Sequence, residues 1–160
     1  MGKKANFVAA GCLIFGLLLG VGGAYFCGGA YSGKRIADGL ALFKEMEIAE
    51  SGQRAFAAYQ HESPHVAIYA LSQYLDTLKK TEEMAGANAV FMTKSGINFD
   101  TVLAHVRLAK MYAAAGQPDR STQHIAEALR RACQDRRLQT ITNETALTEI
   151  VARIDKGASK

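Results

Sequence analysis

The chain has 160 residues, a formal net charge of +4 and three cysteines. Once its uncharged N-terminal stretch is set aside, one domain of ordinary size remains, too small for a barrel or a two-domain enzyme. The positive charge is dispersed: only Arg130, Arg131, Arg136 and Arg137 cluster, and Glu127 and Asp135 interrupt them. Without an aromatic platform beside it, this cluster reads as a solvated helix end that complements the helix dipole, and no nucleic-acid partner is expected.

Phe7 to Tyr31 carries no charged side chain; Lys3 and Lys4 precede it, and Lys34 and Arg35 follow. At 1.5 Å per residue, about 20 to 25 residues cross the roughly 30 Å hydrocarbon core, and a helix of that length in water would need a polar face. Residues 1–33 therefore read as a single-pass membrane anchor, with Tyr25 and Tyr31 suited to one interface. The stretch exceeds the signal-peptide core of about 7 to 15 residues, which favours an uncleaved anchor over cutting after Gly28-Gly29-Ala30. Cys12 precedes the apolar core that a lipoprotein cysteine would follow, and Asn6 stands where a myristoylation site carries Ser or Thr. The basic residues are nearly balanced across the span; the short basic head is expected inside and the C-terminal domain on the non-cytoplasmic side.

Cys12, Gly16, Gly20, Ala24, Gly28 and Ser32 recur at every fourth position. Such a strip lets helix backbones approach closely in lipid, so Gly16 and Gly20 are candidate partner-contact residues, for a homo-oligomer or for another membrane subunit.

Residues 34–155 read as a helical domain and 156–160 as a disordered tail. From Lys34 to Ser51, Ile36, Leu40, Phe43, Met46 and Ile48 mark an amphipathic helix whose apolar stripe needs a partner. Gly52 is expected to punctuate it, with a short helix from Arg54 to Gln60 after it. Ser63-Pro64 then starts a helix to about Met84, with Ser as cap and Pro at the first helical position. Ala67, Ile68, Leu71, Tyr74, Leu75 and Leu78 give it a buried face. Gly86, Asn88, Gly96 and Asn98 break the pattern, so Ala85 to Phe99 reads as a long loop. Asp100 or Thr101 caps a helix to Ala115, Gly116 ends it, and Pro118 opens another to Cys133. A last helix runs from Thr142 to Ile154, and the frayed tail begins at Asp155. Cys133, alone outside the apolar segment, is expected as a small buried side chain.

Leu103 to Leu129 resembles one tetratricopeptide repeat, with Leu108-Ala109, Tyr112, Gly116, Ser121, Ile125 and Ala128-Leu129 at the family's spacings. A weaker echo lies upstream, where Ser63-Pro64 corresponds to Gln117-Pro118 and Ala67, Leu71 and Tyr74-Leu75 follow in register. The resemblance covers about half of the part beyond the anchor. It implies an all-α fold of helical hairpins whose first helices line a concave groove for a partner peptide, which would place Arg107 and Lys110 where an acidic ligand could meet them. Solvated cations on an amphipathic helix are the plainer reading of those two residues.

His61-Glu62-Ser63-Pro64-His65 has the letters of a zincin H-E-x-x-H motif, which needs one continuous helix from the first His to the second. Pro64 would clash with the carbonyl of Gln60 and removes an N–H within the ligand turn. His105 and His124 have no Asp or Cys at triad spacing, and neither a phosphate loop nor a nucleophile elbow is present. No catalytic residue, metal site or cofactor is therefore expected. The sequence points to an all-α protein, tethered by one transmembrane helix, that mediates protein–protein contact as an adaptor, assembly factor or accessory subunit. The alternative is a small structural subunit whose glycine-rich transmembrane helix makes the main contact.

Overall fold

A computed structural model describes residues 39, 42–84 and 93–158. Gly16, Gly20 and the whole apolar segment lie outside the described residues, as does the centre of the expected 85–99 loop. The chain divides into two units, Met1–Leu40 and Ala41–Lys160, and the second is described by itself.

All regular structure among the described residues is helical: α1 over 42–61, α2 (Pro64–Met84), α3 (Lys94–Ala114), α4 (Pro118–Ala132) and α5 (Glu144–Ala158). None of these helices is long and apolar enough to cross a membrane.

α1 runs unbroken through Gly52, where the sequence predicts an interruption. The glycine serves packing instead: a Cβ on it would lie 3.1 Å from Cζ and Oη of Tyr74, so the bare backbone lets the α2 ring approach more closely than a side chain would. Ile48, Ala55 and Ala58 form the buried strip of α1. Pro64 opens α2 as expected, with Ala67 N–H donating to the Ser63 carbonyl at 3.0 Å. Ala67, Leu71, Tyr74 and Leu78 are its buried strip.

α3 starts well before the expected cap. Thr93 is the N-cap, and its Oγ1 accepts from Gly96 N–H at 3.0 Å. Asp100 and Thr101 bond elsewhere: Asp100 accepts from the Tyr74 hydroxyl, and Thr101 Oγ1 donates to the Ile97 carbonyl at 2.8 Å. Burial of Ile97 and Asn98 overrides the weak helix propensity of Gly96 and Asn98. The Asn98 amide donates to the Arg131 carbonyl at 3.1 Å.

α3 is the central helix, with α2, α4 and α5 packed on it. One core cluster joins its Ile97, Ala104, Leu108 and Tyr112 to Ile48, Ala55, Leu71, Tyr74 and Leu78 of α1 and α2. A second joins its Val102, Leu103 and Val106 to α4, α5 and their connection. A helix buried on several sides carries no clean amphipathic stripe.

Gly116 ends α3 with φ +73°, a left-handed conformation that favours glycine. Gly116 N–H donates to the Ala113 carbonyl at 3.1 Å and Gln117 N–H to the Tyr112 carbonyl at 2.9 Å. This Schellman pair satisfies carbonyls the helix end would orphan, and Pro118 then begins α4.

Between α4 and α5 the chain makes successive turns whose Leu138 and Ile141 are buried in the second cluster. Cys133 is exposed, contrary to the expected buried role. Asn143 starts α5 by accepting Ala146 N–H at 2.9 Å. The helix continues to Ala158, so Asp155, expected in a frayed tail, sits on an ordered helix face and is buried.

Candidate functional site

A buried polar group joins α1, α3 and α5. Arg107 on α3 is buried and donates from Nε and Nη2 to Asp155 Oδ1 of α5 at 3.1 and 2.7 Å. Its guanidinium carbon lies 4.6 Å from the ring centroid of Phe56 and 5.8 Å from that of Tyr59, both on α1. Burial, followed by the nearby Asp155 carboxylate, pushes the Tyr59 hydroxyl up to about 12, against a lowering contribution from Arg107. Lys110 Nζ, one helical turn beyond Arg107, reaches Tyr59 Oη at 3.5 Å.

Arg107 also lines a groove of about 530 Å³ with Ile48, Ala49, Gly52, Tyr74 and the carboxylates of Glu45 and Asp100. Tyr74 Oη donates to Asp100 Oδ2 at 3.2 Å. Burial raises the Asp100 carboxyl above its ordinary range, while the Tyr74 hydroxyl, Arg107 and Arg137 act in the opposite direction. Chemically this is a mixed recess, with apolar walls from α1 and α2 and carboxylates of both α1 and α3. A second groove of about 370 Å³ lies between α1 and α2, where Glu47, Glu50, Arg54, Tyr69, Gln73 and Thr77 contribute to its walls.

The reading of Arg107 as a solvated cation is corrected by its burial. A carboxylate of its own chain holds it and the Phe56 ring lies over it. Lys110 is half-buried against Tyr59 instead of standing in solvent. Sequence reading missed Asp155, Phe56, Tyr59 and Asp100 as members of the site. Asp155 lies 48 residues from Arg107, beyond the whole of α4, and no local spacing signals such a pair.

His105 and His124 do meet across the α3–α4 hairpin, Nδ1 to Nδ1 at 2.8 Å. The His124 ring stacks on Tyr112 at 5.2 Å with an 8° interplanar angle, and the Arg120 guanidinium lies 5.5 Å from the same Tyr112 centroid. Such a short Nδ1–Nδ1 contact requires one ring to donate and the other to accept. Burial lowers His105 to about 4, helped by His124, with Glu127 opposing; burial and Arg120 lower His124.

His61 and His65 are both exposed and are separated by the non-helical Glu62 and Ser63, so they do not share one helix. Among the described residues, no three His, Cys, Asp or Glu side chains are grouped to hold a metal ion.

The arginine cluster is largely engaged within the fold. Arg131 reaches Glu82 of α2 at 3.2 Å and Glu127 at 3.1 Å, and Arg130 pairs with Glu127 at 2.6 Å. These hydrogen bonds, that of Arg130 first, draw the Glu127 carboxyl down to about 2 although burial opposes them. Arg137 pairs with Asp135 at 3.1 Å, donates to the Ser95 carbonyl at 2.8 Å and lies 4.2 Å from the Phe99 ring centroid. It thereby ties the first turn of α3 to the chain that follows α4.

No protein-family model, no curated protein and no solved structure matches this chain.

Proposed function

We propose that the chain is a membrane-tethered protein–protein interaction module, an adaptor, assembly factor or accessory subunit whose helical hairpins receive a partner segment. The observation that carries this reading is the repeated burial register of two hairpins. Ala55 stands to Pro64 as Ala109 stands to Pro118, and all four flanking positions follow suit: Ala58 matches Tyr112, Ala67 matches Ser121, Leu71 matches Ile125 and Tyr74 matches Ala128. Of these positions all but the two prolines and the partly exposed Ser121 are buried. Equivalent packing in successive hairpins is what a tetratricopeptide-like array requires.

In such an array the first helix of each hairpin faces a partner, and α1 and α3 hold that place here. The groove walled by Ile48, Ala49, Gly52 and Tyr74 is where this reading seats the partner segment. The uncharged Phe7 to Tyr31 run supplies the tether, with the helical domain on the non-cytoplasmic side. Confinement to the bilayer raises the effective concentration near membrane-borne partners, so the module acts by holding components together and needs no catalytic group.

The test separates groove from anchor. Ala49→Trp and Gln53→Trp fill the groove from exposed positions of α1. They should abolish co-purification of the partner while leaving the far-UV CD spectrum unchanged. Gly16→Leu with Gly20→Leu should spare it. Loss only with the glycine variants would transfer the main contact to the transmembrane helix.

A further inference from the structure

We infer that α1 pairs with α1 of a second copy of this chain, in parallel, through Leu42, Phe43 and Met46. The inference rests on the membrane-tether reading and adds a partner to it.

α1 is two-faced. Ile48, Ala55 and Ala58 point into the fold, and the period of 3.6 residues per turn carries Leu42, Phe43 and Met46 to the opposite side. There they are 46, 73 and 59% exposed. One exposed apolar side chain is ordinary, but three within two turns of one helix face form a patch that marks a contact. Glu50 ends the patch, since its carboxylate takes the Arg54 guanidinium on the next turn of the same helix.

The chain leading into α1 selects the occupant. The uncharged run ends at Tyr31, so every copy in one membrane enters α1 in the same sense after the same short length of chain. Identical patches therefore meet in register, as a two-fold interface requires. The sequence pattern runs on without a break: after Ser32, residues Ile36, Gly39, Phe43 and Met46 follow at alternating spacings of four and three, those of a parallel helix seam. Charge does not mark the patch as a headgroup-binding surface, because Glu47 and Glu50 pair with Lys44 and Arg54 on the same helix and leave no net basic face there. A second copy offers both signs, with Lys44 and Glu47 paired at 3.6 Å on each helix. Three side chains fall short of the roughly 800 Å² per partner of a free-standing interface, so the pairing depends on the tether to concentrate the copies.

The test is disulfide trapping of the full-length chain in its native membrane. Cys12, Cys27 and Cys133 are replaced by alanine, and a cysteine is placed by Phe43→Cys, by Met46→Cys or, on the exposed side of α2, by Lys79→Cys. Mild oxidation should give a covalent homodimer with the first two and less than a tenth as much with the third. Adding Leu42→Glu should remove most of the dimer formed with Met46→Cys. Carbonate washing of the same membranes keeps the two readings apart. A carbonate-resistant chain that forms no dimer, or that dimerises equally at all three positions, would overturn the pairing alone. A carbonate-soluble chain would overturn the tether and the pairing with it.

Discussion

Arg107 of α3 and Asp155 of α5 close a buried ion pair at 2.7 Å, and the Phe56 ring of α1 lies 4.6 Å from the same guanidinium. The first, third and fifth helices of the domain thus meet at one side chain. Such a pair is weak evidence for net stability, because two desolvated charges offset much of their attraction, but breaking it from one side strands a charge. Arg107→Met should cost about 3–5 kcal/mol in urea unfolding. Adding Asp155→Leu should recover most of that loss. Additive single and double variants would contradict a direct pair.

The His105–His124 contact predicts an acid-sensitive hairpin. The folded His105 sits near 4, below its ordinary 6.5, so its contribution is complete above pH 6.5 and is lost as pH falls towards 4. The loss should be on the order of 2 kcal/mol. Glu127, held near 2, adds its own loss only below its ordinary 4.5, whereas the raised Asp100 carboxyl acts in the opposite direction. His105→Gln keeps a hydrogen-bonding side chain that does not titrate. Stability measured from pH 6.5 to 4 should fall less steeply in this variant than in the parent, and equal slopes would exclude the pair as the cause.

Two glycines should respond to alanine for different reasons. Gly116→Ala meets no atom within 4 Å, so only its φ of +73° resists, at about 1 kcal/mol. Gly52→Ala gains helix propensity of about 1 kcal/mol but drives its Cβ against the buried Tyr74 ring. With Tyr74 also held by Asp100, the clash should prevail, and the variant should be less stable than the parent by thermal unfolding. A stabilised Gly52→Ala would show that the ring can yield.

Thr93→Ala removes the side-chain acceptor for Gly96 N–H and should cost about 1 kcal/mol. Hydrogen exchange should quicken first in residues 94–97, ahead of the α3 centre, if Thr93 sets the start of the helix. Unchanged protection there would place the start later, nearer Asp100.

What was legible in the sequence was local. Ser63-Pro64, Gly116 and Pro118 mark chain turns through their own backbone chemistry, and the 3,4 spacing of Ala67, Leu71, Tyr74 and Leu78 marks the buried face of α2. Gly52 and Gly96 misled because glycine signals either a break or a close approach, and only the neighbour decides. At Gly52 that neighbour is Tyr74, on a different helix. Arg107 misled for the same reason: on α3 alone it resembles a surface cation, and its partner Asp155 lies on α5 near the chain's end. The central position of α3 also hid its early start, since a helix buried on several sides does not show one apolar stripe.

The central claim, that the chain holds a partner at a membrane, is tested most directly by affinity purification of the full-length protein from its native membrane in mild detergent, followed by mass spectrometry. The account predicts a stoichiometric membrane-associated protein with the parent chain and its loss with Ala49→Trp and Gln53→Trp. Recovery of this chain without any other protein, or of the same partner from both parent and groove variants, would contradict it.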